Sequence, residues 1–482
     1  MKWMVKKMIN LIKWIILLVL WNSILFFEKK LGISVILFII PLILFIYYSL
    51  KINNKIKNKK GLLFIIPIIL LSLTYTLFDN AFFKVTNAVA IPILFILMYI
   101  YAMKPTFNIK DILVSFISII VKPLSRLGNI YHIMAELIKK NIKLSQNTKK
   151  TIKSVVIIIP IVLIVLLLLS SADQMFSNIF TKLFSLSEKI SLSSLIGVII
   201  RRLIPMTIIF FYLSATINFL LYNYSKIKHE EKEINLKIDA LTIKLLLTTL
   251  NIIYIVFDII QIKSLIFHQV SMNISYAEYA REGFFQLMIV SFINLIIVLV
   301  SKNIEKKQDK KNIRYIRIMN LIMVFLTLII IISSFIRMYM YESEYGYTLL
   351  RLLVYITLIT EVILLIPTII YITNSKFNII KHYMVILISI YTIINFINID
   401  YIIAYRNVNR YLKKEDIDIY YLMNNHTDNI PVLIDLYNET DDLKIKQTLK
   451  NYFSFMKKPI KHFQEFNVSK VISNKKIDLL ND

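Results

Sequence analysis

"GFFQLMIVSFINLIIVLV", Gly283–Val300, decides the fold. It holds eighteen consecutive residues without a charge. A helix of that length covers roughly 27 Å, about the thickness of a bilayer's hydrocarbon core. The pattern recurs, as in "VVIIIPIVLIVLLLLSSA" from Val155 to Ala172. Fifty-seven percent of the chain is hydrophobic and mean hydropathy is strongly positive. A soluble globule cannot hide that much apolar surface, and the excess falls in blocks of about 18–22 residues. The chain reads as all-α, a polytopic transmembrane helix bundle.

Net charge is +27, and there is no cysteine. Nucleic acid is excluded as a partner by where the charges lie. They sit in short loops between apolar blocks, where lysine and arginine report the cytoplasmic side. The absence of cysteine excludes disulfides, Cys-ligated zinc, iron–sulfur clusters and thiol nucleophiles. The N-terminus "MKWMVKKMINLIKWIILLVLW" begins like a signal peptide, but no small-residue cleavage site follows; it is expected to be a retained first span.

Eleven spans are expected, near 9–27, 32–50, 62–78, 85–103, 154–172, 203–222, 241–261, 283–301, 318–336, 349–372 and 383–400. "KINNKIKNKK", Lys51–Lys60, carries five lysines, and Lys104–Lys153 carries ten basic residues against two acidic. Alternate loops lack that excess, which predicts an inside N-terminus and an outside C-terminus in a bacterial cytoplasmic membrane. Phe107–Ile138 is too short in apolar residues to cross and predicts interfacial helices; "DQMFSNIFTKLFSLSEKI", Asp173–Ile190, has helical spacing and predicts another. After Asp400 the chain turns polar, with Pro431 suited to a first helical turn. Four regions follow: a four-span bundle (1–103), basic amphipathic helices (104–153), a seven-span core (154–400) and a small C-terminal helical-hairpin domain (401–482).

Charges beside or inside apolar runs need a reason, because burying one at the bilayer centre costs roughly 2.5–3.5 kcal/mol on insertion scales. They gather toward the outer ends of the spans. Asp173 ends the fifth, and Asp258 with Gln261 ends the seventh. "YAEYAREGFFQL", Tyr276–Leu287, opens the eighth with Tyr276, Glu278, Tyr279, Arg281 and Glu282. Arg337 ends the ninth, Tyr345 follows it, Arg351 opens the tenth and Asp400 closes the eleventh. Glu361 alone sits about midway through a span, ten residues past Arg351. Glu278, Arg281 and Glu282 share a helix face. Interfacial anchoring, snorkelling and bundle-locking ion pairs are the structural explanations to weigh against a ligand site. Asn218, Asn251, Asn294 and Asn395 are expected to hydrogen-bond between helices.

No HExxH pair, P-loop or GxSxG occurs, and no histidines pair at metal spacing. No cofactor, metal or catalytic group is expected. One enzyme class stays open: many-span glycosyltransferases use an acid in an outer loop, where Asp79 and Glu28 fall here, although Asp79 also suits a turn.

"SSADQMF" (Ser170–Phe176), "YAEYAREGFFQL", "EYGYTLLRL" (Glu344–Leu352) and "NIDYIIAYRNVNR" (Asn398–Arg410) occur in that order. Together they resemble an uncharacterised family of bacterial multi-span membrane proteins, a domain of unknown function. The resemblance covers roughly residues 154–436 and, more weakly, the first four spans. The family has proline where this chain has Gln174, Asn-Pro-Asp at Asn398–Asp400, and Ala-Arg-Tyr-Asn at Ala404–Asn407. It implies a bacterial membrane protein and supplies no substrate.

These observations lead to three expectations. The first is solute or ion binding or transport through an outer-leaflet polar cavity, with Glu278, Arg281 and Glu282 binding or gating. Arg337 and Arg351 would then be counter-charges, and Glu361 a protonatable group below them. The second is a non-catalytic scaffold or sensor. It would meet an envelope protein through the C-terminal domain, with basic helices on the lipid bilayer. The third is an outer-face glycosyl or lipid-group transferase.

Overall fold

The computed structural model describes residues 2–103, 109–126, 130, 191–222, 240–267, 284–305, 309–374, 376–413, 416–424, 427–457 and 459–480. Among them every regular element is helical. The expected span at 154–172 and the helix at 173–190 lie outside the described residues. Packing divides the chain into two units.

The first unit comprises residues 1–76, 88–229 and 460–466. It holds α1 (Lys2–Phe26), α2 (Ser34–Ile52), most of α3 (Ile65–Leu77) and α4 (Ala81–Met103), α5 (Ile109–Val121) and α6 (Ser191–Tyr222). Leu11, Ile15, Leu18, Phe45 and Ala215 form one apolar core; Leu50, Tyr99, Ile100, Ile119 and Phe219 form another. Pro41, Pro92 and Pro205 lie inside these helices, as spans tolerate when neighbours satisfy the freed carbonyls. The segment Ile460–Phe466 clips onto the α1–α2 turn. Ile33 N–H donates to the Phe466 carbonyl at 3.0 Å, and Gln464 donates to the Ile24 carbonyl at 3.3 Å.

The C-terminal end of α4 is capped by chain rather than by a side chain. Lys57 and Asn58 N–H both donate to the Ala102 carbonyl, at 2.8 and 3.0 Å. That approach requires Gly61. A Cβ there would stand 2.6 Å from the Tyr101 carbonyl carbon and 2.7 Å from the Ala102 Cα, both backbone atoms that no rotamer change can move. Gly61→Ala is therefore expected to destabilise the protein by about 2–3 kcal/mol, the cost of overpacking a filled site. Thermal unfolding in detergent measures it, and a midpoint equal to wild type overturns it.

The second unit comprises residues 77–87, 230–459 and 467–482. Its membrane part is α7 (Ala240–Phe267), α8 (Phe284–Glu305), α9 (Lys310–Tyr345), α10 (Leu349–Thr373) and α11 (Ile379–Ile394). Ile243, Leu247, Leu295, Val298, Met323, Ile331, Leu358 and Leu365 make its core. The helices α12 (Ile399–Tyr411), α13 (Ile419–Asn424), α14 (Ile430–Glu439), α15 (Leu443–Met456) and α16 (Val468–Asp478) pack around a separate core. Leu422, Leu433, Leu436, Leu449 and Phe453 fill it, with Phe83 from the tip of the α3–α4 hairpin. Pro431 does sit in the first turn of α14.

Seven helices among the described residues are long and apolar enough to cross a membrane, or eight if α11 and α12 count as one bent span. The expected spans at 9–27 and 203–222 fall on α1 and α6, whose apolar stretches are Asn10–Phe26 and Pro205–Leu220. The eleventh expected span, 383–400, is not one straight helix. α11 stops at Ile394, and α12 leaves at 58°. Asn395 folds its amide back onto the Tyr391 carbonyl at 2.8 Å, and Asn398 caps the new helix by accepting from Tyr401 N–H. α9 is 36 residues long, about 54 Å at 1.5 Å per residue, so it extends beyond the hydrocarbon.

Candidate functional site

The polar residues of the second unit form a seam. On α7 they fall at Lys244, Thr248, Asn251, Tyr254, Asp258 and Gln261, spaced by three or four so that all share one face. That face meets α9. Lys244 Nζ donates to Asn312 Oδ1, the Thr248 and Tyr315 hydroxyls lie 2.7 Å apart, and Asn251 donates to the Met319 carbonyl at 3.0 Å. The offset of 67 or 68 residues is constant, so α7 and α9 run parallel. At the far end Gln261 Oε1 accepts from Arg337 at 2.6 Å and from Ser333 at 3.3 Å.

α8 completes the seam from the opposite direction. Asn294 accepts from the Tyr254 hydroxyl at 2.8 Å and donates to the Thr327 hydroxyl at 3.0 Å. Ser301 donates to Asn320 at 2.8 Å. Ser291 donates to Glu361 on α10. From Asn312 to Arg337 the seam climbs 25 residues of α9, about 37 Å, the depth of the hydrocarbon core and more. Such side chains meet because an unsatisfied polar group in lipid costs several kcal/mol.

Two carboxyl groups lie in this seam. Glu361 is buried at the centre of α10 and hydrogen-bonded to Ser291. Asp258 is 3 % exposed, and neither of its oxygens has a hydrogen-bond partner among the described residues. No ion pair to either occurs among the described residues.

The other expected site residues go elsewhere. Arg337 lies at the Asp258 end of the seam. Tyr345 and Arg351 belong to the corner between α9 and α10. Arg351 donates to the Tyr345 carbonyl at 2.9 Å and to the Gly346 carbonyl, and its guanidinium stacks 4.3 Å from the Tyr341 ring centroid. Arg410 of α12 donates to the Glu342, Ser343 and Glu344 carbonyls at 3.3, 2.8 and 3.1 Å. Two guanidiniums thus satisfy five successive carbonyls at the negative end of a long helix. Asn407 clamps the next residue, accepting from Tyr347 N–H and donating to the Tyr347 carbonyl, both at 2.8 Å. Gly346 has φ of 78°, and a Cβ there would meet Asn407 and Arg410 at 2.5 and 2.6 Å. The motifs "EYGYTLLRL" and "NIDYIIAYRNVNR" therefore touch each other and build a corner.

Asp400 accepts from Asn80 at 2.8 Å, in the helical domain. Asp79, the acid weighed for transferase chemistry, is paired with Lys84 and, at 3.4 Å, with Lys470. Asp173, Tyr276, Glu278, Tyr279, Arg281 and Glu282 lie outside the described residues. The expected site residues that are described fall in three sets: seam, corner and helical domain. Asn251, Asn294 and Asn395 do bond between helices, Asn395 accepting from Asn87 at 2.7 Å. Sequence reasoning missed Lys244, Asn312, Asn407, Arg410 and the buried Lys302, which donates to the Ile372 carbonyl in the last turn of α10 at 2.6 Å. The three-and-four spacing of polar residues on α7 was the available signal for the seam.

The two described cavities are apolar, one in each unit. One of about 580 Å³ is lined by Trp14, Leu17, Trp21, Leu44, Phe45 and Tyr48; one of about 270 Å³ lies between α9 and α10, against Phe335 and Leu358. Among the described residues no group of histidine and acidic side chains is placed to hold a metal ion.

No curated protein and no solved structure matches the chain. A family profile does, over residues 65–436, which takes in the hairpin tip, the seam, the corner and the first helices of the C-terminal domain. A helical, multi-pass architecture and a match over most of the chain together assign it: this protein belongs to the family described as "Domain of unknown function (DUF4153)".

Proposed function

We propose that this multi-pass membrane protein moves protons across the bilayer along the seam of α7–α10, with Asp258 and Glu361 as the groups that take them up and pass them on. The observation that carries this reading is the depth of the seam. Hydroxyl, amide and carboxyl groups follow one another for the full thickness of the hydrocarbon, with two buried carboxyls among them. Structural hydrogen bonds alone do not call for ionisable groups, and ionisable groups inside spans commonly mark ion or proton paths. Tyrosine, serine and threonine hydroxyls both donate and accept, which a relay between carboxyls requires. The sidedness expected from the basic loops puts Lys244 and Asn312 toward the cytoplasm and Asp258 toward the outside.

The test is proton flux. Full-length protein in liposomes loaded with a pH-sensitive dye is given a potassium diffusion potential. Wild type is expected to dissipate it faster than protein-free liposomes, and Asp258→Asn to slow that flux by on the order of tenfold. Wild-type flux equal to that of empty liposomes rejects the reading.

A further inference from the structure

Three aspartates from three distant parts of the chain meet in the helical domain of the second unit. Asp79 lies at the tip of the α3–α4 hairpin, Asp400 in the first turn of α12, and Asp428 in the turn before α14. The tip is held by direct bonds. Asp79 N–H donates to Asp428 Oδ2 at 2.7 Å, Asn80 donates to Asp400 at 2.8 Å, and Thr427 donates to Asp79 Oδ2 at 3.2 Å. Asn467, ahead of α16, donates to the Phe78 carbonyl at 2.8 Å. Asn80 also caps α4, accepting from Phe83 N–H at 2.9 Å, and this sets Phe83 into the domain's apolar core.

The charges do not balance. The titratable and charged groups facing the cluster are Asp79 and Lys84 from the hairpin, Asp400 from α12, Asp428, and Lys470 from α16. Both lysines pair with Asp79. Among the described residues no cation pairs with Asp400 or Asp428, whose charges act on each other. Asp428 is 3 % exposed, and its Oδ1 has no hydrogen-bond partner. A metal would relieve this, but no metal-holding group occurs here among the described residues.

We propose that Asp400 and Asp428, the two carboxyls that bond the hairpin tip, form a proton-binding latch: a proton taken up by this buried pair, with the unpartnered Asp428 Oδ1 as its open position, keeps the tip seated in the helical domain, and its loss loosens the tip. A buried carboxylate beside another carboxylate gains from a proton both the removal of like-charge repulsion and a new donor. Burial pushes the Asp428 carboxyl up from its ordinary range. Hydrogen bonds from Ser469 and Asp79 N–H pull it back, the Asp79 carboxylate adds to the rise, and Lys84 opposes it. A carboxyl raised by folding stabilises the seated state fully below its ordinary range, and that stability is lost as pH rises through the raised value. The tip therefore loosens as pH rises above the ordinary carboxylate range.

The chain has no cysteine, so a labelled pair introduces no background. Spin labels at Val85→Cys on the tip and Gln447→Cys on α15, both exposed, report the tip against the domain in full-length protein in nanodiscs. Between about pH 5 and pH 8 the wild-type distance distribution is expected to broaden, with a second population rising several-fold. In Asp428→Asn the amide keeps the acceptor for Asp79 N–H and supplies a permanent donor, so the distribution stays narrow at every pH. A wild-type distribution independent of pH overturns the latch. So does an Asp428→Asn protein that broadens as wild type does. Asp400→Asn gives the same readout from the other partner and guards against a variant that fails to fold.

Discussion

Arg410→Ala lowers the thermal midpoint of the detergent-solubilised protein by on the order of 4–6 °C, corresponding to about 2–3 kcal/mol. The guanidinium is half-buried and donates to three carbonyls; Glu342 also accepts from Gly346 N–H, but Ser343 and Glu344 lie past the last intrahelical bond. Without it the Ser343 and Glu344 carbonyls at the end of α9 lose their donor, and the helix dipole loses its nearest compensating charge apart from Arg351. Arg410→Lys recovers only part of the loss, because one ammonium lacks the planar fork that reaches carbonyls from successive residues. Lys450→Ala, exposed on α15, is the control and leaves the midpoint within about 1 °C. A midpoint for Arg410→Ala equal to that of this control means that the carbonyls find other partners and that the corner does not depend on the arginine.

Glu361→Gln separates a working carboxyl from a structural one. Glutamine keeps the size of the side chain and an oxygen to accept from Ser291, so the change in stability is expected to stay below about 1 kcal/mol. It cannot carry a proton, and proton flux in liposomes is expected to fall by on the order of tenfold or more. Glu361→Leu removes the hydrogen bond as well and leaves the Ser291 hydroxyl with its remaining partner, the Met288 carbonyl. A loss of flux in Gln equal to that in Leu, with stability preserved in Gln, assigns the effect to the proton. Unchanged flux in Gln reduces Glu361 to an interhelical hydrogen bond.

The apolar blocks were enough to read the helices, because in lipid a backbone must satisfy its own hydrogen bonds and runs of such length have one way to do so. The polar C-terminal helices, with Pro431 at a first turn, were legible for the same kind of local reason. Local pattern also marked Glu361 and Asp258, since charge inside an apolar run stands out in a single span. It did not show the corner, where Arg351 donates to the carbonyls at the end of α9. Asn407 and Arg410, which share that work, looked like ordinary surface polarity 60 residues or more along the chain.

The sequence by itself determined a membrane-embedded helical chain with a polar helical tail and ionisable groups inside its spans, because hydropathy and helix geometry act over about twenty residues. Only the tertiary structure decided which polar groups meet. The seam, the arginine-capped corner and the carboxylates gathered from Asp79, Asp400 and Asp428 join residues up to 349 apart. Each residue's own stretch of sequence is equally consistent with a side chain that ends in water, since hydrogen-bond partners are chosen by packing and not by chain neighbours.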